Sequence, residues 1–150
     1  MPRLRRLTAD QGGSASLEFL TAGMILLLPI VYLVLVMAAV QAGALAVEGA
    51  ARQAARVFVQ ADDERSARER ADRAIRFALA DHGLDENAVD VSVTCSPEPR
   101  DCLNRLGTVT FTIGIAIPLP LMPAAIASAR LSAPVQATAT QRVSRFWGAR

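Results

Sequence analysis

Residues able to do chemistry are sparse in this sequence and fall at a few places. Gly13-Ser14-Ala15-Ser16-Leu17-Glu18-Phe19 lies between a short basic head, with Arg3, Arg5 and Arg6, and a run over 20–40 that holds no charged residue. A glycine followed by small and apolar residues, with one carboxylate five positions on, offers a peptide bond to be cut rather than a group that cuts. Cys95 and Cys102 flank Ser-Pro-Glu-Pro-Arg-Asp. An even cysteine count facing an oxidising compartment suits a disulfide, with free thiols as the alternative. Two cysteines without further ligands make no structural zinc site. The acidic triplet Asp62-Asp63-Glu64 fits the first turn of a helix, where carboxylates cap amides and complement the dipole, better than it fits a metal site. His82, the only histidine, has no ligand or triad partner near it in sequence and reads as a helix-end residue. Such a set assembles no nucleophile, base and orienting residue, and neither a phosphate-binding glycine loop nor a cofactor motif is present. The expectation is a protein that is not an enzyme and needs no cofactor and no metal.

These residues must be positioned by a membrane helix and a small domain. The chain has 150 residues, 52% of them hydrophobic but only 5% aromatic, so its apolar content is chiefly Ala, Val, Leu and Ile and suits close helix packing with a modest core. All sixteen basic residues are arginine, set against fourteen acidic ones for a net charge of +2. That balance excludes nucleic acid as a partner. A hydrocarbon core needs about 20 apolar residues in a helix, which 20–40 supplies. The arginine head places the N-terminus in the cytoplasm and residues 60–150 outside it. A secretory signal is cut after its apolar region and discarded. A cut at Gly13 would instead leave the apolar helix on the product.

Helical character continues over 41–59, which is proline-free and alanine-rich, so 14–59 reads as one transmembrane and stem helix about twice as long as the bilayer core is thick. Pro29 removes a backbone N–H and predicts a kink near 25–29. Ala38, Ala42, Ala46, Ala50 and Ala54 recur every fourth residue with Ala39 and Gly43 alongside. Ala42, Gly43, Ala46 and Ala50 then form a smooth face that lets another helix approach closely, unless the ladder reflects alanine abundance alone. Glu48, Arg52 and Arg56 form a solvated stripe.

A second, amphipathic helix is expected over 62–82, ended by Gly83. The pattern then changes to period two: Val89, Val91, Val93 and Cys95; Val109, Phe111, Ile113, Ile115 and Ile117; and Leu131, Ala133, Val135, Ala137 and Ala139. Three consecutive strands predict an antiparallel meander with one face on a helix. The apolar, proline-rich connection 118–127 caps the sheet, lies on the membrane surface or meets another subunit. The fold class is therefore an α+β membrane protein: a basic leader 1–13, a helix 14–59, and an extracytoplasmic domain 60–150 with a three-stranded sheet and one disulfide.

With these residues in view, Gly13, the four small or apolar residues after it, Glu18-Phe19 and the apolar run resemble the processing site of type IV prepilins. Nearly the whole chain resembles the TadE-like family of tight-adherence (Flp-type) pilus assembly proteins, its minor pilins or pseudopilins. The stem over 41–52 and the proline-rich bend before the last strand add to the likeness, and Pro29 stands further from the cleavage site than the proline of many TadE sequences. The resemblance implies cleavage by a prepilin peptidase between Gly13 and Ser14. It also implies assembly contacts through Glu18 and Phe19, and partnership with other pilin-like subunits, the Tad secretion and pilus machinery and the lipid bilayer. Major Flp-type pilins are much shorter, which argues for a minor role. The contrasting reading is a single-pass membrane protein whose extracytoplasmic domain binds something unrelated to pili.

Overall fold

The computed structural model describes residues 14–121 and 131–148. The leader 1–13, with Gly13, and the part of the proline-rich connection from 122 onward lie outside the described residues. The chain forms two compact units, Met1–Met37 and Ala38–Arg150. Its elements are α1 (Ser14–Val59), α2 (Glu64–Asp81), β1 (Asp90–Ser96), β2 (Thr108–Pro118) and β3 (Ser132–Arg142). The strands form one antiparallel meander in the order β1-β2-β3. This is the expected α+β architecture, with its long apolar N-terminal helix, second helix, three-stranded sheet and one disulfide. Pro29 stands inside α1, where it leaves one carbonyl of the preceding turn without its helical donor.

Within the second unit, α1 is one-sided. Gly43, Ala46, Val47, Ala50, Ala51, Ala54, Ala55 and Phe58 recur at intervals of three and four and are buried, while Glu48 and Arg52 pair with each other across the opposite side. The buried stripe meets the inward side chains of β2, namely Val109, Phe111, Ile113, Ile115 and Ile117. Two contacts fix the alignment. Phe58 and Phe111 pack edge to face with ring centroids 5.5 Å apart, and Gly43 lies against Ile117. Between these contacts α1 covers about 22 Å and β2 about 20 Å, so helix and strand run antiparallel at matching lengths. The ladder of small residues therefore serves the chain's own sheet. Ala42, one member of that ladder, is exposed.

Period-two patterning sets the strand register, because a slip of one residue would turn every inward side chain outward. Opposite Phe111 stand Val93 on β1 and Ala139 on β3; opposite Ile113 stand Val91 and Ala137. On the other face, hydroxyls pair across strands, Thr110 with Thr140 at 2.8 Å and Thr112 with Thr138 at 3.1 Å. Val91 and Val93 remain more than a third exposed although they point to the core side, since an edge strand is covered there only by the margin of α2.

Helix α2 is closed at both ends by its own residues. The Asp63 carboxylate accepts the Ser66 amide at 2.9 Å, which holds its pKa below the ordinary Asp value. Because the folded pKa is the lower one, this cap contributes fully above the ordinary Asp range and is lost as pH falls through the depressed value. At the other end Gly83, at φ +67, takes the left-handed position that a side chain would resist. The Gly83 amide donates to the Ala80 carbonyl at 2.9 Å and the Leu84 amide to that of Leu79 at 3.0 Å, the paired closure of a Schellman motif. Ala67, Ala71, Ile75 and Leu79 form the buried side of the helix.

Cys95 and Cys102 are joined, with Cα atoms 5.1 Å apart. The bridge closes a short loop between β1 and β2 and stabilises the fold by about 2–3 kcal/mol in the chain-entropy account. Alkylation of the unreduced protein should add no mass, and Cys95→Ser/Cys102→Ser should lower stability by that amount in denaturant unfolding.

An added Cβ at Gly43 would stand 2.5 Å from Ile117 Cδ1 and 2.8 Å from Cγ1. Ala at this position gains about 1 kcal/mol of helix propensity, which offsets the displacement of one methyl. Leu cannot be accommodated that way. Gly43→Leu should cost about 1–3 kcal/mol in thermal unfolding of the full chain in detergent, Gly43→Ala should be near neutral, and Ile117→Ala added to Gly43→Leu should restore much of the loss.

Candidate functional site

The candidate site is the N-terminal part of α1, taken as a body by itself. Side chains from Ala15 to Val31 are all exposed, among them Leu17, Phe19, Leu20, Met24, Ile25 and Leu26. Apolar groups occur all round the helix rather than on one stripe, the pattern of a helix whose surroundings are apolar. Its most apolar 18-residue window has a mean hydropathy of 2.7, and α1 is long and apolar enough to cross a membrane. Each large apolar side chain left in water forgoes about 1.5–3 kcal/mol, and among the described residues of this unit the large apolar side chains from Leu17 to Val31 stay uncovered.

Glu18 interrupts that surface. It is the one charged residue between Ser14 and Val47, it is exposed, and among the described residues it has neither an ion pair nor a hydrogen bond from a side chain. Leu17, Thr21, Ala22 and Ile25 border it along a shallow open groove. The Thr21 hydroxyl in that groove donates to the Leu17 carbonyl at 2.7 Å. Phe19 projects beside Glu18 and is 78% exposed. Ser14 is the first residue of α1. Gly13, the other half of the expected cleavage site, lies outside the described residues.

The remaining chemistry-bearing residues have structural partners. Asp63 caps α2; Glu64 accepts from Arg68 at 2.7 Å; Asp62 stands 3.8 Å from Arg70. The acidic triplet is thus divided among three partners, and its members do not converge on one point. His82 is the C-cap of α2. Among the described residues no group of three or more His, Cys, Asp and Glu side chains could hold a metal ion. Gly43, Ala46 and Ala50 are buried against the sheet, as described above, and do not form an open contact face.

One anchoring arrangement has no counterpart in the sequence reading. After β3 the chain returns to the end of α1, where the Trp147 indole donates to the Ala61 carbonyl at 2.9 Å and Arg105 Nε donates to the Trp147 carbonyl at 2.9 Å. Separated by 86 positions, Ala61 and Trp147 carry no local signal of this pairing. A lone Trp close to the end of the sequence was its one visible trace.

Comparison with protein-family models, with curated proteins and with solved structures gives no match for this chain.

Proposed function

We propose that this chain is a TadE-like minor pilin or pseudopilin of a tight-adherence (Flp-type IV) pilus. It is anchored in the cell membrane by residues 20–40, with the N-terminus cytoplasmic and the domain outside. A prepilin peptidase cuts after Gly13, and the retained helix takes part in assembling the pilus with other pilin-like subunits. The observation that carries the reading is Glu18: a carboxylate with no partner among the described residues, one turn into a helix whose large side chains are exposed and apolar on every side, five residues after a glycine that follows a basic head. The disulfide supports an extracytoplasmic domain, since such bonds persist in oxidising compartments.

The physical logic follows from the cost of that carboxylate. A charge in a bilayer costs roughly 2.5–3.5 kcal/mol at mid-depth and less near the interface, and such groups find partners. Cleavage would convert the Ser14 amide nitrogen into a free amine, a positive charge close to the carboxylate. In an assembly, Glu18 of one subunit pairs with the amine of a neighbour, so that both charges lose their solvation penalty together. Phe19 and the leucines around it supply the dispersion contacts that hold the helices side by side, because lipid offers no hydrophobic drive for helix association.

Glu18→Ala should be processed by prepilin peptidase as efficiently as the unaltered chain. Its recovery with pilus subunits in a pull-down or a sheared pilus fraction should fall about tenfold, the effect of losing about 1.4 kcal/mol. Equal incorporation of variant and unaltered chain would remove Glu18 from assembly.

A further inference from the structure

Charge is sorted by position within the second unit. Residues 77–97 hold four carboxylates, Asp81, Asp85, Glu86 and Asp90, and no Lys or Arg, whereas 102–150 hold five arginines and no Asp or Glu. Arg130 and Arg150 lie outside the described residues; the other three are Arg105, Arg142 and Arg145. The fold places the two sets at opposite ends of the sheet. Asp81 ends α2 and Asp90 opens β1, on the rung that Asp90 shares with Gly114 and Gln136. Arg142 closes β3 on the rung of Ser96 and Thr108, and Arg105 reaches the tail that carries Arg145 through the Trp147 carbonyl. The two rungs are six residues apart, about 20 Å along the strands.

Neither set is neutralised within the chain. The ion pairs among the described residues lie on α1, on α2 and at Asp62 just before it, and include none of these seven groups. Asp81, Asp85, Asp90, Arg105, Arg142 and Arg145 are exposed. Asp85 accepts the Asn87 amide and the Arg145 guanidinium lies over the Phe146 ring, contacts that hold the charges without cancelling them. Neighbouring charges leave the signs as they are. Arg76, within electrostatic reach of Glu86, is hydrogen-bonded to Asp72. In the disulfide loop beside the basic end, Glu98, Arg100 and Asp101 add one net negative charge, against three arginines. The acidic triplet before α2 is engaged as described above. A separation of about 20 Å exceeds the screening length of about 8–10 Å in physiological salt, so the two ends do not offset each other on one molecule.

We propose that the acidic end of this domain, at Asp81 and Asp90, docks on the basic end of a second copy, at Arg142 and Arg145. Both signs stand on the same chain in similar number, so copies of it supply each other with the missing counter-charge, while two acidic or two basic ends repel. Planar guanidinium groups suit carboxylate partners. Between the two ends the strands over 91–96, 108–118 and 132–141 carry no charged residue, so a copy that slips along the sheet finds no substitute ion pair, and complementarity sets the offset of the two copies as well as their attraction. The contact lies wholly in the second unit and needs no cleavage at Gly13, so it stands or falls separately from the reading of Glu18.

The test is self-association of the full chain in an uncharged detergent, followed by analytical ultracentrifugation at low and high salt. Two charge reversals are used, Arg142→Glu/Arg145→Glu at the basic end and Asp81→Arg/Asp90→Arg at the acidic end. All four residues are exposed and outside the core, and a cooperative thermal transition checks that each variant is folded. Association of the unaltered chain should weaken with salt, and each reversal alone should lower it about tenfold at low salt, as expected of a few exposed ion pairs. An equimolar mixture of the two reversed variants should associate again, because one then carries only acidic ends and the other only basic ends, and a chain carrying all four substitutions should recover association with itself. Salt-independent association that both reversals leave unchanged overturns the contact, and so does a mixture of the two folded variants that associates no better than either alone.

Discussion

The apolar surface of α1 has to be covered, and the described residues cover only its second half. From Gly43 to Phe58 the helix presents one buried stripe made almost wholly of Ala and Gly, shallow enough for β2 to lie along it and bury Val109 to Ile117. Before that stretch the helix is apolar on every side and bare. A single continuous element therefore satisfies two different surroundings, and its residue types change where the surroundings change. Charged residues reappear at Glu48, and small residues then line one side only. The rest of the domain follows from this choice. The sheet needs a smooth helix to rest on, α2 closes the margin over β1, and the disulfide and the Trp147 tail secure the end of the sheet beside the C-terminal end of α1.

Small side chains let the sheet come close, but they contribute little buried area of their own. Phe58, Phe111, Leu79, Leu103 and Ile113 supply the bulk of the core instead, and the edge-to-face pair of Phe58 and Phe111 marks its centre. Few aromatics are present, so a staple at Cys95 and Cys102 and the closed ends of α2 carry a larger share of the stability than they would in a domain with a richer core. Surface ion pairs on α2, such as Arg76 with Asp72 at 2.9 Å, are solvent-exposed and contribute little.

Much of this fold is legible in the sequence because its signals are local. Alternation from Val109 to Ile117 gives β2 and its inward face; Asp63 and Gly83 bracket α2; the absence of charge over 20–40 gives the apolar helix. What is not legible depends on partners far apart in the chain. Alanines at every fourth position mark a surface for close approach, yet nothing in their spacing tells whether a helix or a strand will use it, and here Ile117 does. Val91 and Val93 alternate as core residues do, but their partial exposure depends on how far α2 extends over the sheet edge. Trp147 reaches Ala61 through a tertiary turn with no motif. Glu18 was visible for the opposite reason: an isolated carboxylate in an apolar run stands out without any partner being known.

The proposed pairing of Glu18 with a newly formed amine requires a cut just ahead of it, so the most direct measurement is the intact mass and N-terminal sequence of the membrane-extracted protein made with and without a prepilin peptidase. The account predicts a chain beginning at Ser14 that appears only with the peptidase, and none when Gly13 is replaced by a bulky residue. An uncut chain, or a cut beyond residue 40, would contradict it.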